Sequence, residues 1–458
     1  MRNNRSNLYR QLRKEYTYVS YESFSYTLVN SELHIYFEFS LADKYYFRPE
    51  IKLSLPANFD RDILTGSLFR NIIFNMGMIE LVSYWKAACP PRVLVKPVHL
   101  SSEQIKWWKK LYLNGLGEFF YENGIIPDGD FINIIPEGEE RLKKESFAGS
   151  EEVLVPLGGG KDSVVTLELL SKLKKCRPFI VNPRGASINS ADVAGFGGDE
   201  IITLDRSIDP QLLELNSKGF LNGHTPFSAM LAFTATLVAA LYGTGEIALS
   251  NESSANEPSI PGTDINHQYS KTLEFENDFR EYLSEFITDG IKYYSFLRPL
   301  NELQIAGIFS RFPAHFSSFR SCNVGSKTDS WCGKCPKCLF TYIVLSPFIG
   351  HDRLMHIFGK DLFEDGSLTP LLDQLCGIAE EKPFECVGTL EEVNVAIRAY
   401  IRKNQDREMP VLLKHYVQHK GQDKLLPDAM ELLLKEFGTH NIPGKDEVKM
   451  LKDVIHAF

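Results

Sequence analysis

The chain has 458 residues, about three times the roughly 150 residues of a typical domain, so two or three domains are expected. Its 43% hydrophobic and 24% charged residues are ordinary globular values and exclude a disordered or fibrous chain. The net charge of −9 argues against binding to a nucleic-acid backbone. No apolar run reaches the roughly 20 residues that cross a bilayer, and the N-terminal residues lack a signal-peptide core. We therefore expect a cytoplasmic protein without nucleic-acid or membrane partners.

The first region, residues 1–135, is rich in aromatic and β-branched residues. Leu33–Phe39 and Tyr45–Leu55 have the partial alternation that is typical of strands. Residues 71–84 and 101–121 carry apolar side chains at three- and four-residue spacing, which predicts helices. These patterns together predict an N-terminal α+β domain.

A charged stretch with little apolar content, residues 136–152, is the predicted linker to the next domain. Residues 153–320 then alternate short apolar strands with helices. The strands are predicted at 153–157, 179–183, 200–204 and 246–250, and a long helix at 227–242. Buried strands alternating with helices indicate an α/β domain with a parallel sheet and helices on both faces. Residues 351–458 are amphipathic and charged, which predicts a mainly helical C-terminal region.

A glycine-rich turn separates the first of these strands from a predicted helix. Its three consecutive glycines are Gly158, Gly159 and Gly160. Glycine lets the backbone approach an anion closely, and the following helix points its free N–H groups at the same place. The next three residues can supply a positive charge, a helix cap or Mg²⁺ ligand, and a hydroxyl: Lys161, Asp162 and Ser163. The spacing fits neither G-x-x-x-x-G-K-[ST] nor G-x-G-x-x-G. A bare strand-to-helix turn is the simpler alternative, although three glycines are costly for it.

The run Gly158–Ser163 resembles the S-G-G-x-D-S loop of the PP-loop ATP pyrophosphatases, which have the adenine-nucleotide α-hydrolase fold. The resemblance implies that this chain binds ATP, transfers AMP to a carboxyl or carbonyl oxygen, and releases diphosphate. Gly158 departs from the serine that is usual in that family, so one hydroxyl contact is missing. Residues after the second strand contact the adenosine in that family, which here implies a nucleotide contact for Asn182.

Four of the eight cysteines fall within one short stretch: Cys322, Cys332, Cys335 and Cys338. The last three form two overlapping C-x-x-C steps, and four thiolates suffice for tetrahedral Zn²⁺ in a closed, structural site. An iron–sulfur cluster also uses four cysteines, and free buried thiols are the remaining alternative. We expect structural Zn²⁺ in a four-cysteine module at residues 321–350.

Further polar residues lie between the glycine-rich turn and the cysteines. Ser250 and Asn251 stand at the end of the predicted strand 246–250, and open α/β sheets bind ligands at the carboxyl ends of their strands. These two residues are therefore candidate nucleotide contacts, although serine and asparagine at such junctions are often caps. His224 and His267 are candidates for proton transfer, although a lone histidine more often has a structural role.

The loop, the cysteine module and further stretches together resemble the UDP-N-acetyl-muramoyl-L-alanyl-L-glutamate epimerase family of peptidoglycan synthesis. Those stretches are residues 113–119, 250–257, 266–271 and 298–303. The resemblance implies ATP- and Mg²⁺-dependent inversion of the terminal L-Glu of UDP-MurNAc-L-Ala-L-Glu, with AMP and diphosphate as by-products. Converting the carboxylate to an acyl-adenylate removes its charge, so an ordinary base can abstract the α-proton. We expect His267 and Lys271 to be the base and acid, with His224 in reserve, and residues 1–135 to bind the UDP-sugar.

Other classes of protein fit less well. The cyano-deazaguanine synthases share the loop and a similar cysteine site, but they are much shorter chains. A tRNA-modifying ATP pyrophosphatase would also use the loop, but the acidic composition disfavours RNA. Two thiol bases, as in cysteine racemases, conflict with the metal expected at the cysteines. Pyridoxal phosphate cannot form a Schiff base with an N-acylated glutamate. A binding module without activity remains the simplest alternative.

Overall fold

The structure is a computed structural model that describes residues 4–56, 59–260, 262–422, 426, 428–439 and 444–458. Its strands are β1 (Tyr18–Val29), β2 (Glu32–Leu41), β3 (Tyr45–Phe47), β4 (Glu50–Ser54), β5 (Arg92–Val95), β6 (Asn133–Pro136), β7 (Ser150–Pro156), β8 (Cys176–Val181), β9 (Ile202–Ser207), β10 (Thr244–Leu249) and β11 (Lys292–Ser295). Its helices are α1 (Ser6–Glu15), α2 (Ser67–Trp85), α3 (Ser102–Gly115), α4 (Gly117–Glu122), α5 (Lys161–Leu170), α6 (Gly185–Val193), α7 (Pro210–Ser217), α8 (Phe227–Tyr242), α9 (Leu273–Tyr282), α10 (Glu302–Phe309), α11 (Pro336–Leu345), α12 (His351–Phe358), α13 (Thr369–Cys376), α14 (Leu390–Lys403), α15 (Val411–Lys420), α16 (Ala429–Lys435) and α17 (Lys445–Ile455).

These elements confirm the α/β class, and the C-terminal region is mainly helical as expected. The predicted helix at 227–242 coincides with α8. The predicted strand Tyr45–Leu55 is divided into β3 and β4 because Pro49, between them, has no N–H to donate to a ladder. The predicted helix at 101–121 is interrupted at Leu116, whose backbone is not helical, so that it forms α3 and α4. The PP-loop fold itself remains a prediction.

The chain divides into two compact units. Unit 1 contains Met1–Leu154, Ile202–Ile247 and Asp264–Tyr293, and unit 2 contains Val155–Ile201, Ala248–Thr263 and Tyr294–Phe458. Strands β7, β10 and β11 each begin in unit 1 and end in unit 2. The five-part domain division that the sequence suggested remains a prediction.

Unit 1 has a mixed sheet with the strand order β9-β4-β2-β1-β5-β6, in which β3 pairs with β2. The pairs β1–β2, β2–β4 and β4–β9 are antiparallel, whereas β1–β5 and β5–β6 are parallel. Helix α2 packs against β1, β2 and α8. Most residues of α2 and α8 are buried, so these two helices form the centre of this unit.

Unit 2 contains all of β8 and the last residues of β7, β10 and β11. The order of these strands in the sheet is β11-β10-β7-β8. The Leu157 N–H donates to the Phe179 carbonyl at 2.8 Å, and the Phe296 N–H donates to the Leu249 carbonyl at 2.8 Å. Helix α5 packs against α10, and α11 packs against α10, α13 and α14. In the described part of the chain, no helix combines the length and the apolar character needed to cross a membrane.

Candidate active site

The glycine-rich turn leads from the end of β7 into the first turn of α5. Of its three glycines, only Gly159 has a left-handed backbone, with a φ of +78°. A Cβ atom at this position would lie 2.7 Å from the backbone nitrogen of Ser187, in the first turn of α6. Gly158, by contrast, has open space around its Cβ position. Gly159 is therefore the position in the turn where the backbone and the close approach of α6 both require glycine.

Lys161 is buried, and its ammonium group contacts two carboxylates. The Nζ atom is 2.5 Å from Oδ1 of Asp162 and also forms an ion pair with Oε2 of Glu302. Burial disfavours the ammonium form, but the two carboxylates outweigh this effect and raise the pKa of Lys161. The charged side chain is therefore fixed in one orientation at the start of α5.

Three carboxylates lie close to one another here, and two of them are those that contact the Lys161 ammonium group. Ligand oxygens of Asp162, Glu252 and Glu302 all lie within 4.8 Å of one another. Burial opposes ionisation of Glu302, whereas its ion pair with Lys161 favours the carboxylate form. Oxygen ligands are those that Mg²⁺ prefers, and a divalent cation would offset the excess of negative charge. The donor set therefore fits Mg²⁺ beside the glycine-rich turn.

Glu252 and Glu302 are held by backbone contacts. The guanidinium of Arg298 donates to the carbonyl oxygen of Glu252 at 2.6 Å. The backbone N–H of Glu302 donates to Oε1 of Glu392 at 2.6 Å. These contacts fix the beginning of α10 and the segment after β10, where the two carboxylates stand.

The other nucleotide candidates lie on the same unit. The Ser163 hydroxyl donates to the Gly160 carbonyl at 3.0 Å, and Asn182 follows β8 with a left-handed backbone. The hydroxyl of Ser250 is buried and has no hydrogen-bond partner among the described residues. Asn251 donates from Nδ2 to the Ser295 hydroxyl at 3.0 Å. Ser250 and Asn251 immediately precede Glu252 in the chain. Contacts with a nucleotide remain a prediction for Ser163, Asn182, Ser250 and Asn251.

Unit 1 brings together two of the predicted acid–base residues, His224 and His267. Their ring centroids are 4.5 Å apart. Nδ1 of His267 is hydrogen-bonded to Oε2 of Glu118, and Nδ1 of His224 lies 3.4 Å from the same oxygen. Burial, the neighbouring His267 and the ammonium of Lys86 lower the pKa of His224 to about 3. His224 is therefore neutral near pH 7, and one carboxylate orients both imidazoles.

The backbone around His224 is held by a buried lysine on the residue after α2. Nζ of Lys86 donates to the carbonyl oxygens of Gly223 and His224, and to the hydroxyl of Thr225 at 2.5 Å. Burial lowers the pKa of Lys86 to about 8. These bonds fix the segment that enters α8, and with it the position of the His224 ring.

Sequence reasoning did not assign Glu118, Glu252 or Glu302. Each of them nevertheless lies in a stretch on which the family resemblance rests: 113–119, 250–257 and 298–303. Their acidic side chains within those stretches were the sequence signal that could have identified these three residues as site residues. Lys271 lies in the 3₁₀ turn Tyr269–Lys271, and its role as an acid remains a prediction.

The four predicted metal ligands lie together in unit 2: Cys322, Cys332, Cys335 and Cys338. Their sulfur atoms are 3.5–3.7 Å apart in three of the six pairs. Four sulfurs around Zn²⁺ at a bond length of about 2.3 Å are separated by about 3.8 Å in a tetrahedron. Pro336, the first residue of α11, sets the turn between the last two ligands. The donor set and spacing therefore fit a closed tetrahedral metal site.

Comparison with known sequence families assigns this chain to one enzyme class, the epimerases. Residues 10–296 match the MurL N-terminal domain, and residues 316–429 match the MurL C-terminal domain. The chain belongs to the MurL family, whose curated members in the comparison are UDP-N-acetyl-α-D-muramoyl-L-alanyl-L-glutamate epimerases.

Three curated relatives carry that epimerase name. The protein of Micromonospora sp. is 34% identical over 87% of this chain and 89% of its own length. That of Xanthomonas oryzae pv. oryzae is 34% identical over 80% of this chain and 82% of its own. That of Salinispora tropica is 36% identical over 80% of each chain. No solved structure matches this chain.

Proposed function

We propose that this protein is an ATP-dependent epimerase that converts the terminal L-Glu of UDP-MurNAc-L-Ala-L-Glu to D-Glu. Family membership over most of the chain supports the substrate and the outcome. The observation that carries the chemistry is the cluster of Glu118, His224 and His267, because inversion of a carbon centre requires positioned groups that move protons.

The first step is activation of the α-carboxylate that borders the carbon to be inverted. A carboxylate oxygen attacks the α-phosphorus of ATP, and the bond from that phosphorus to diphosphate breaks. The product is an acyl-adenylate, whose neutral carbonyl lowers the barrier to removal of the neighbouring proton. In this proposal the glycine-rich turn and the N-terminus of α5 bind the departing diphosphate.

The carboxylates of Asp162, Glu252 and Glu302 are the proposed Mg²⁺ ligands. Bound Mg²⁺ would neutralise phosphate charge during adenylation. Lys161 orients Asp162 and Glu302 through its ion pairs and keeps part of their charge balanced. This role explains why a lysine follows the glycines directly and points into the unit rather than into solvent.

Proton transfer is assigned to unit 1. His267, oriented by Glu118, abstracts the α-proton, and Lys271 returns a proton to the opposite face of the carbon. His224 stays neutral beside His267, so it adds no positive charge that would oppose the protonation of His267. Water then cleaves the mixed anhydride, which releases AMP and the free D-glutamyl carboxylate.

The four-cysteine site is the proposed structural Zn²⁺ site, because a site closed by four sulfurs leaves no position for substrate. Cys335→Ser should reduce zinc from one equivalent per chain to a small fraction. Purified wild-type protein without zinc would contradict this assignment.

The experiment is to incubate the purified protein with UDP-MurNAc-L-Ala-L-Glu, ATP and Mg²⁺, then hydrolyse the product and resolve D- from L-Glu. We expect D-Glu together with one AMP and one diphosphate per turnover, and deuterium at the α-carbon when the reaction is run in D₂O. Inversion without nucleotide would contradict the adenylation step, and no inversion with ATP would contradict the epimerase assignment.

A further inference from the structure

The segment that enters the cysteine cluster contacts the glycine-rich turn. The backbone N–H of Arg320 donates to the carbonyl oxygen of Gly159 at 2.7 Å. Directly after it, the Ser321 hydroxyl lies against Gly160, so that a Cβ atom there would be 3.1 Å from it. Cys322 is the next residue. The Gly159 carbonyl thus accepts a hydrogen bond from Arg320, which lies two residues before the predicted metal ligand Cys322 in the chain.

The residues between the first two cysteines contact the beginning of α6. Oδ1 of Asp329 accepts the backbone N–H of Ala186 at 2.8 Å, and the carboxylate fills the space that a side chain at Gly185 would need. The guanidinium of Arg184 donates to the Ser326 hydroxyl at 2.7 Å. This is the same helical turn that packs against Gly159, so α6 and the glycine-rich turn share one support.

Residues 320–332, here called the cysteine loop, are also linked to one another by hydrogen bonds within the loop. The backbone N–H of Gly325 donates to Sγ of Cys322 at 3.1 Å, and that of Ser330 donates to the Gly325 carbonyl at 3.0 Å. Nε of Arg320 donates to the Asp329 carbonyl at 3.1 Å. The loop therefore holds its two contact points, Arg320 and Asp329, at a fixed separation.

We propose that the cysteine loop positions the glycine-rich turn and the first turn of α6, with Arg320 and Asp329 as positioning residues. Metal binding by the four cysteines closes the loop and removes the conformational freedom that it would otherwise have. The inference rests on the proposed function only in taking ATP as the ligand of the turn. The metal thus supports nucleotide binding without touching the nucleotide.

The first test uses the zinc-loaded protein and three variants in the cysteine loop. Asp329→Ala removes the acceptor for Ala186, Asp329→Asn keeps an oxygen acceptor, and Lys327→Ala is a control at an exposed residue of the same loop. We measure zinc content, hydrogen exchange in residues 157–165 and 184–190, and binding of α,β-methylene ATP. Asp329→Ala should weaken binding about fivefold, the loss of one helix cap, and speed exchange in both segments. Asp329→Asn and Lys327→Ala should resemble the wild type, and all should keep one zinc.

The second test removes the metal with a chelator and follows hydrogen exchange without nucleotide. Exchange should rise in 157–165 and 184–190 while α14 stays protected. Unchanged exchange in both segments, in Asp329→Ala and in the chelated protein, would overturn the inference. Because this measurement needs no ATP, it separates the two hypotheses: loosened segments in a protein that never binds ATP would support the positioning role and contradict the proposed function.

Discussion

Oε2 of Glu118 is hydrogen-bonded to Nδ1 of His267, although the two residues are 149 positions apart in the chain. A carboxylate on Nδ1 fixes the tautomer and the orientation of an imidazole, and it stabilises the imidazolium that forms when the ring takes a proton. The same oxygen is 3.4 Å from Nδ1 of His224. Glu118 is thus the residue that connects both histidines.

Glu118→Gln should lower kcat for D-Glu formation by about 10²–10⁴-fold, because the neutral amide no longer stabilises the charged form of His267. Diphosphate release should fall much less, since adenylation does not use this group. The measurement compares D-Glu and diphosphate in one reaction. Glu122→Gln, on the same helix α4, is the matched control and should retain both rates. Parallel loss of the two products would show that Glu118 is not specific to proton transfer.

Acid should destabilise the protein through His224. Its pKa is about 3 in the native state, against an ordinary value of 6.5, so between these pH values only the unfolded chain binds the proton. Stability therefore falls as the pH drops through this window, by at most about 1.4 kcal/mol per pH unit. Between pH 7 and pH 5, urea unfolding of the wild type should lose about 2 kcal/mol more than that of His224→Gln. Equal losses in the two proteins would contradict the depressed pKa.

The parts of the site that were predicted from the sequence are those fixed by local patterns. The spacing of Cys332, Cys335 and Cys338 indicates a metal site because neighbouring ligands bind one ion. The apolar run of α8 and the three glycines of the turn are local in the same way. Unbroken apolar periodicity did not reveal the divisions at Pro49 and Leu116, because a single residue changes the backbone there.

The parts that were missed depend on distant residues. Lys161 forms an ion pair with Glu302, which is 141 positions away in the chain. No sequence pattern around either residue predicts this partner. A lysine after three glycines suggests a phosphate contact when it is considered alone. Its buried ion pairs become visible only when α10 packs against α5. Glu118 was missed for the same reason, since an acidic residue in a helix is ordinarily a solvated one.

Removing the charge of Lys161 should destabilise unit 2. Lys161→Met leaves the buried Glu302 carboxylate without its cation, and breaking a buried pair from one side costs about 3–5 kcal/mol. The double variant Lys161→Met with Glu302→Leu removes both charges and should recover a large part of that loss. Urea unfolding of the two variants and the wild type measures this difference. A single variant as stable as the wild type would contradict the ion pair.

Of the first two glycines of the turn, Gly159 should require glycine and Gly158 should not. Gly159→Ala places a Cβ on a backbone with a φ of +78° and against the nitrogen of Ser187, so it combines left-handed strain of about 1–2 kcal/mol with displacement of α6. Gly158→Ala adds the same methyl group into open space and should change stability by less than about 0.5 kcal/mol. Urea unfolding and ATP binding of the two variants test this contrast. Of these two glycines, only Gly159 contacts α6. Equal losses of ATP binding in the two variants would therefore mean that the glycines are needed for the bound phosphates rather than for the packing of α6.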